Sequence, residues 1–187
     1  MPRAPREFPP NTVLHVVNRG NDRRALFGEP QDYEDFVYLV ERTLRHIPLR
    51  ILAYALMPNH WHFVVWPATP EELTQFMQRV TSTHGARIRR FSKTTGLGHV
   101  YQGRFRSFPI EQDERYFRAL RYVEANPLRA RLVDRAERWR WSSLRERVTR
   151  PRLIVDGPIA LPPTASWLEL VNLPGPSQEE SDPIRIS

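Results

Sequence analysis

Apolar residues recur at two spacings along this chain, and the shorter spacing predicts four strands. Residues 12–18 (TVLHVVN) are β-branched and apolar, and residues 49–56 form a second apolar run. Residues 60–66 (HWHFVVW) follow the turn sequence Met-Pro-Asn, so they predict the second strand of a hairpin. Residues 100–110 alternate between apolar and polar side chains, which indicates a further strand.

The longer spacing predicts helices. Apolar side chains three or four residues apart indicate helices over residues 31–46 and 71–91. A third helix is predicted over residues 115–126 and is ended or kinked by Pro127, since proline disfavours helical geometry in the residue before it. Shorter elements are expected downstream, namely a helix or turn at residues 129–134 and a short helix within residues 139–148.

The order of these elements predicts the fold. It reads strand, helix, strand, strand, helix, strand, followed by helices, which is the split β-α-β or ferredoxin-like order. We therefore predict an α+β fold, in which an antiparallel sheet carries helices on one face and the chain adds extra C-terminal helices.

Residues 12–149 contain this periodicity and are predicted to form one domain. Residues 1–11 are rich in Pro and Arg, and we expect a basic, disordered N-terminal arm. In residues 150–187 the proline density rises and the periodicity disappears, so we expect a tail with a docked strand or turn near Leu153 and Trp167.

Two histidines in the third predicted strand are the first candidates for chemistry. Alternate side chains of a strand share a face, so His60 and His62 point together, whereas Trp61 faces the core. Two adjacent imidazoles have the geometry of a two-histidine metal site, although histidines on a strand face are also common as half-buried polar residues. A third ligand would have to come from elsewhere in the fold. The other histidines, including His15, have no such pairing in the sequence.

A tyrosine and an asparagine share one face of the third predicted helix. Tyr122 and Asn126 are four residues apart. If this helix packs beside the histidine strand, Asn126 becomes the third ligand of a site suited to Mg²⁺ or Mn²⁺, and Tyr122 lies next to the metal. Attack by Tyr122 on a phosphate would give a covalent phosphotyrosine and so conserve the bond energy for rejoining. Packing is the alternative role for such a tyrosine. Tyr116 is a second candidate, although Leu120 rather than a ligand-type residue follows it by one turn.

Charge and composition narrow the function classes. The 187 residues contain 28 Lys and Arg against 21 Asp and Glu, a net charge of +7, and no Cys, so disulfides and thiolate sites are excluded. No run approaches the roughly 20 apolar residues that a membrane span needs, and the N-terminus lacks the apolar run of a signal peptide. We expect a soluble, cytoplasmic protein without a membrane partner. A basic surface attracts nucleic acid.

Arginine clusters indicate where nucleic acid would bind. Arg19, Arg23 and Arg24 follow the first strand, and Arg104 and Arg106 interleave with aromatic residues. One arginine side chain can bind two phosphate oxygens at once. A mixture of basic and aromatic side chains suits a single strand of nucleic acid, whose unstacked bases can stack on the aromatic rings. A solvated surface is the alternative for each cluster.

These motifs together resemble the REP-associated tyrosine transposases, which are bacterial members of the single-tyrosine HUH class. Residues 60–62 (HWH) are similar to the HUH motif, and Tyr122 with Asn126 is similar to the catalytic tyrosine and the polar ligand one turn later. The other similar motifs are residues 15–20 (HVVNRG), 57–60 (MPNH), 101–105 (YQGRF), 122–130 (YVEANPLRA) and 139–143 (WRWSS).

The resemblance covers residues 12–148 and implies a function. It implies a metal-dependent single-stranded DNA endonuclease and strand-transferase that cleaves next to palindromic hairpin repeats through a 5′-phosphotyrosine intermediate. It further implies Tyr122 as the nucleophile and His60, His62 and Asn126 as ligands of Mg²⁺ or Mn²⁺. The implied partner is single-stranded or hairpin DNA, and a monomer is expected rather than a dimer.

Two other functions stay open at this point. A non-catalytic regulator would bind hairpin DNA or RNA on its sheet without chemistry. A metal hydrolase would use the histidines to activate water, giving a free 5′-phosphate and no protein–DNA adduct. The pairing of Tyr122 with Asn126 favours strand transfer, because neither alternative needs it.

Overall fold

One antiparallel sheet forms the centre of the molecule. The computed structural model describes residues 8–91, 98–111 and 114–174. The strands are β1 (Val13–Arg19), β2 (Arg50–Met57), β3 (His60–Trp66) and β4 (Arg106–Ile110). They lie in the order β2-β3-β1-β4, and all neighbours are antiparallel. The α+β fold class predicted from the order of elements is confirmed.

Helices cover both faces of the sheet. The five helices that the structure describes are α1 (Pro30–Leu44), α2 (Pro70–Phe91), α3 (Glu114–Arg129), α4 (Ser143–Val148) and α5 (Thr164–Asn172). Helices α1 and α2 pack on one face, where Phe36 and Leu73 join the core of the sheet. Helix α3 covers the other face with Leu120 and Val123, and Trp167 of α5 joins the same cluster. The predicted C-terminal helices therefore lie on the face opposite to α1 and α2.

The alternation of β3 decides which side chains meet which helices. Trp61 and Phe63 belong to the core shared with α1 and α2, whereas Val64 belongs to the core shared with α3. His60 and His62 alternate with Trp61, so they lie on the α3 side of the sheet. The position of α3 thus places a helix directly over the histidine pair.

The last strand is shorter than predicted. Strand β4 begins at Arg106 and not at residue 100. The apolar side chains Val100, Tyr101 and Phe105 are buried within a loop that docks on the main sheet, where Tyr101 bridges Gly20. Their alternation with polar residues therefore reflects loop packing against the α1–α2 core, not a pleated strand.

Pro127 was predicted to end or kink the third helix, and the structure shows that it does not end it. Helix α3 continues to Arg129, with Pro127 buried inside it. Proline removes one helical donor, but the backbone N–H of Ala130 still donates to the carbonyl of Asn126 at 2.9 Å. Burial of the ring against the core offsets the lost bond. The turn expected downstream is present, and Arg131 adopts a positive φ of 56° within it.

The segment after residue 150 packs onto the domain. Leu153 and Trp167 are 4% and 2% exposed, so the docking predicted near both is confirmed, although Trp167 lies in helix α5 and not in a strand or turn. Gly157 passes so closely over Tyr116 of α3 that a Cβ there would come within 1.9 Å of its hydroxyl. This contact requires glycine and holds the segment against the helix that carries Tyr122.

Residues 1–7 and 175–187 lie outside the described residues, and the domain limits predicted at residues 12 and 149 stay predictions. Within the described part of the chain, no helix is both long enough and apolar enough to cross a membrane.

Candidate functional site

The histidine strand and the tyrosine helix meet on one face of the sheet. In the register of β1 and β3, His62 pairs with Val17 and His60 pairs with Arg19. The ring centroids of His60 and His62 are 4.9 Å apart. The ring of Tyr122 on α3 lies 5.9 Å from that of His62. The structure therefore brings His60, His62 and Tyr122 together, as the sequence prediction requires, and their chemical roles stay predictions.

His62 has one ring nitrogen engaged and the other without a partner. Its side chain is 1% exposed. Nδ1 lies 2.9 Å from Nε2 of His15 on β1, and the two rings stack with centroids 5.1 Å apart. Nε2 of His62 is buried and, within the described part of the chain, has no hydrogen-bond partner. Burial of a polar atom without a partner is unfavourable, so this nitrogen is the position in the site where a ligand would be most stabilising.

His60 is oriented by the residue before it. Its Nδ1 lies 2.7 Å from Oδ1 of Asn59, and the amide nitrogen of Asn59 donates to the carbonyl of Arg23 at 3.2 Å. That second bond fixes the orientation of the amide, so Oδ1 accepts and Nδ1 of His60 donates. Nε2 of His60 then carries the lone pair.

Tyr122 lies between the histidines and the guanidinium of Arg129. Its ring meets His15 and His62 edge-on, with centroid distances of 5.9 Å to each. On α3, the guanidinium of Arg129 lies 4.8 Å from the centroid of the same ring. The tyrosine is partly exposed, so a substrate phosphate has access to this face.

Asn126 lies one turn beyond Tyr122 on α3 and is partly buried. Its amide nitrogen donates to the carbonyl of Tyr122 at 3.0 Å. Because the nitrogen is engaged, Oδ1 is the atom of this side chain that would bind a metal ion.

Burial keeps the three histidines of this face uncharged. It lowers the pKa of His15 to about 4. Burial, and to a smaller extent the charge of Arg19, lowers the pKa of His60 to about 4. Burial also lowers the pKa of His62 well below its usual value, with smaller effects from His15, His60 and Arg129. At neutral pH all three are neutral imidazoles, which is the form that binds metal ions.

The predicted metal ligands include no carboxylate. Among the residues that the structure describes, no group of three or more His, Asp and Glu side chains is arranged to hold a metal ion. The unpartnered nitrogen of His62, the lone pair of His60 and the amide oxygen of Asn126 are all uncharged donors. Such a set leaves the positive charge of the cation available to phosphate oxygens.

Two of the predicted DNA-binding arginines share the face of the histidines. Arg19 pairs with His60, and Arg106 of β4 pairs with Val17, which itself pairs with His62. The Nε atom of Arg19 is buried and has no hydrogen-bond partner in the described structure. Arg106 is exposed, and its guanidinium lies 5.4 Å from the ring centroid of Phe108.

The other three arginines lie in the loops at the end of β1. Arg23 is exposed at the end of the short 3₁₀ turn Asn21–Arg23, and Arg24 follows it. The turn needs Gly20, because a Cβ there would lie 2.2 Å from the carbonyl oxygen of Arg24. Arg104 is exposed in the loop before β4, next to Gly103, where an added Cβ would meet no atom within 4 Å.

His15 was missed by the sequence analysis, which found no pairing for it. Its position on β1 is two residues before Val17, the residue that pairs with His62, so both imidazoles lie on the same face. The signal in the sequence was a histidine within the apolar run of residues 12–18. Only the register of β1 against β3 turns that signal into a contact.

Glu124 was also missed, and it fixes the helix that carries the tyrosine. Its carboxylate is fully buried and lies on the apolar side of α3. It accepts hydrogen bonds from Ser143 at 2.6 Å, Arg147 at 2.8 Å and the indole of Trp167 at 2.6 Å. One carboxylate thus joins α3 to α4 and α5. An acidic residue one turn after Leu120, among the apolar positions of α3, was the signal in the sequence.

Comparisons with known proteins agree with this geometry. Residues 10–126, which include the histidines and the tyrosine, match the family of IS200-like transposases. The chain is 25% identical over 145 residues to the REP-associated tyrosine transposase of Escherichia coli strain K12, covering 78% of this chain and 83% of that protein. A solved structure of a REP-associated tyrosine transposase bound to a REP hairpin has a TM-score of 0.65 and 18% identity, covering 86% of this chain and 95% of that one. That structure has the same fold as this chain. The resemblance to the REP-associated tyrosine transposases that the sequence motifs indicate is confirmed.

Proposed function

The chain belongs to the family of IS200-like transposases, and from this premise we propose that it is a metal-dependent single-stranded DNA endonuclease and strand-transferase. In this proposal it cleaves next to a palindromic hairpin through a 5′-phosphotyrosine on Tyr122. The observation that carries the proposal is the ring of Tyr122, 5.9 Å from that of His62, whose buried Nε2 has no partner. The membership supports transposase activity and does not favour a non-catalytic regulator.

The chemistry is a transesterification at phosphorus. The hydroxyl oxygen of Tyr122 attacks the scissile phosphate, the bond from phosphorus to the 3′ oxygen breaks, and the leaving strand ends in a 3′-OH. The proton lost by the tyrosine is balanced by the proton gained by the 3′ oxygen. Bound Mg²⁺ or Mn²⁺ would polarise the phosphate and stabilise charge on the leaving oxygen. Attack by the 3′-OH of another DNA strand on the phosphotyrosine reverses these steps, so the two strands are joined and Tyr122 is released.

The residues of the chain have separate tasks in this reaction. His60, His62 and Asn126 would hold the cation through Nε2, Nε2 and Oδ1. Arg129 lies against the Tyr122 ring at 4.8 Å, where its charge would attract the scissile phosphate.

The DNA is proposed to lie across the end of β1. Arg19 and Arg106 would meet the phosphates nearest the histidines, while Arg23, Arg24 and Arg104 would bind the strand in the adjoining loops. The open space in front of Gly103 leaves room for a DNA backbone to approach closely. Hairpin DNA is the proposed partner because the relative with the same fold is bound to a REP hairpin.

The proximity of Tyr122 to His62 within one chain supports a monomer. His62 and Tyr122 of the same molecule are in contact distance, so no second copy is needed to supply the nucleophile. We propose that a monomer cleaves in cis, and that it does so in the cytoplasm.

A cleavage assay tests this function. Single-stranded oligonucleotides carrying hairpins from the DNA that flanks the gene would be labelled at the 3′ end and incubated with Mn²⁺ or Mg²⁺. We expect a labelled band shifted by the mass of the protein, because the 5′-phosphate of the labelled fragment is bound to the tyrosine. The band should be absent with EDTA.

The matched control uses two tyrosines of the same helix. Tyr122→Phe should abolish the adduct and leave hairpin binding intact. Tyr116→Phe should keep the adduct, because Tyr116 is 1% exposed and its hydroxyl lies beneath Gly157. Cleavage without an adduct would instead indicate the metal hydrolase. Tight, metal-independent binding without cleavage would indicate the non-catalytic regulator, and either result would overturn the proposal.

A further inference from the structure

We propose that His15 is a positioning residue that fixes the metal-binding tautomer of His62. This inference rests on the proposed function, because it assumes that His62 binds a cation. It is carried by the single hydrogen bond between the two rings, 2.9 Å from Nε2 of His15 to Nδ1 of His62. Both side chains are at least nine-tenths buried, with exposures of 2% and 1%, so water does not compete for this bond.

The direction of this bond follows from the chemistry of imidazole. A neutral imidazole has one N–H and one lone pair, so only one of the two facing nitrogens carries the shared proton. If Nε2 of His62 gives its lone pair to a cation, Nδ1 of His62 must carry the hydrogen and donate it. Nε2 of His15 is then the acceptor, and His15 carries its own hydrogen on Nδ1.

The opposite direction would disable the site. Donation from His15 to His62 would move the hydrogen of His62 to Nε2. That atom is buried without a partner, so an N–H there would lack an acceptor and the lone pair needed by a cation would be lost. With Nε2 of His15 as the acceptor, His62 is held in the form that can bind a cation.

The neighbouring ligand shows the same arrangement. Nδ1 of His60 donates to Oδ1 of Asn59 at 2.7 Å, which leaves Nε2 as its lone-pair atom. Ligating histidines are commonly held in this way, by an acceptor that fixes tautomer and ring orientation. In His62 the acceptor is a second imidazole rather than an amide oxygen.

His15 also contacts the nucleophile. Its ring meets that of Tyr122 edge-on at 5.9 Å and lies 6.5 Å from that of Phe108 on β4. The imidazole is thus held between the strand that carries His62 and the helix that carries the tyrosine. It sets the position of both groups without touching the DNA in our proposal.

Three variants test the inference through metal affinity. His15→Leu removes the acceptor and retains bulk, whereas His15→Gln places an amide oxygen near the former Nε2. We expect His15→Leu to weaken Mn²⁺ binding by about 10- to 100-fold and His15→Gln to stay close to wild type, measured by electron paramagnetic resonance of free Mn²⁺. The matched control is His84→Leu. His84 is 4% exposed and bonded to Tyr101, and it lies among the side chains of the opposite face of the sheet, so its loss should not change Mn²⁺ affinity.

A second measurement reads the tautomer directly. Long-range ¹H–¹⁵N NMR spectra of the metal-free wild-type protein should show hydrogen on Nδ1 of His62 and none on its Nε2. Hydrogen on Nε2 would overturn the inference, and so would wild-type Mn²⁺ affinity in a folded His15→Leu. If His15→Leu does not fold, the spectra and the His15→Gln variant decide.

The Mn²⁺ measurements distinguish an error in the role of His15 from an error in the proposed function. If wild-type protein binds no Mn²⁺ or Mg²⁺, the metal-dependent function is wrong and the inference with it. If wild type binds Mn²⁺ and His15→Leu binds it equally well, only the role of His15 is wrong.

Discussion

Each candidate metal ligand is held by a neighbour that engages its other polar atom. Asn59 engages Nδ1 of His60, His15 engages Nδ1 of His62, and the helix backbone engages the amide nitrogen of Asn126. The remaining donors are therefore set by hydrogen bonds rather than by the cation. A site prepared in this way loses little conformational freedom when it binds.

The oxygen of Asn126 is predicted to control metal affinity. Asn126→Ala removes this donor, so Mn²⁺ binding should weaken by about tenfold or more. Asn126→Asp replaces it with a charged oxygen, and Mn²⁺ binding should become tighter than in wild type. Both variants lose the bond to the Tyr122 carbonyl, so comparing the two by calorimetric titration isolates the effect of the oxygen. Equal Mn²⁺ affinities in Asn126→Ala and wild type would exclude this residue as a ligand.

At the scale of elements, the position of α3 depends on helices that follow it in the chain. Glu124 bonds to Ser143 of α4 and to Trp167 of α5, and Arg121 donates to the carbonyl of Leu173 at 2.9 Å. Glu124 is two residues after Tyr122, so it projects from nearly the opposite face of α3. These contacts set the rotation of the helix about its axis, and that rotation aims Tyr122 at His62.

Two glutamates of α3 give a matched test of this bracing. Glu124 is fully buried in an ion pair with Arg147, whereas Glu114 pairs with Arg118 where both side chains are exposed. Glu124→Ala removes the acceptor of the Trp167 indole and the carboxylate that pairs with the partly buried Arg147, so it should lower the free energy of unfolding by about 3–5 kcal/mol in urea titrations. Glu114→Ala should change it by less than about 0.5 kcal/mol. Similar losses in the two variants would show that the buried carboxylate does not brace the helix.

The same scale shows what the sequence could and could not predict. Strand β3 was predicted because its alternation separates His60 and His62 from Trp61, and the spacing of Tyr122 and Asn126 placed both on one helix face. The sequence could not predict that the tyrosine helix packs against the histidine strand, because no local pattern indicates which face of a sheet a helix covers.

The sequence did not predict the contact of His15 or helix α5, because both depend on packing rather than on a periodic pattern. Strand β1 is buried on both faces, so its pattern did not reveal that His15 shares a face with His62. Helix α5 follows a proline-rich stretch and is nine residues long, so local signals did not mark it as a helix. The docking of Trp167 is decided by a carboxylate 43 residues earlier in the chain, which no short window contains.

At the scale of the whole molecule, the two hydrophobic cores on opposite faces of the sheet differ in the histidines that they contain. The core on the α3 side ends at the candidate site, where His15 and His62 are buried and His60 is partly buried. The core on the α1–α2 side encloses His84, whose Nδ1 lies 2.7 Å from the hydroxyl of Tyr101, itself 3.2 Å from the indole nitrogen of Trp61. That second network ties α2 and the loop before β4 to the back of the histidine strand. Its loss should therefore affect stability without removing a site residue.

This buried network predicts an acid-sensitive fold. Burial lowers the pKa of His84 from 6.5 to about 4, with smaller opposing effects of Asp32 and Arg87. Below pH 6.5 the unfolded chain binds a proton that the folded protein excludes until about pH 4, so stability falls as the pH decreases through this window. His84 alone should account for a loss of about 3 kcal/mol by the acid end of the window. In urea unfolding, His84→Leu should be less stable than wild type at neutral pH but should lose less stability on acidification, since leucine takes up no proton. Parallel pH profiles for the two proteins would show that His84 is not kept neutral by the fold.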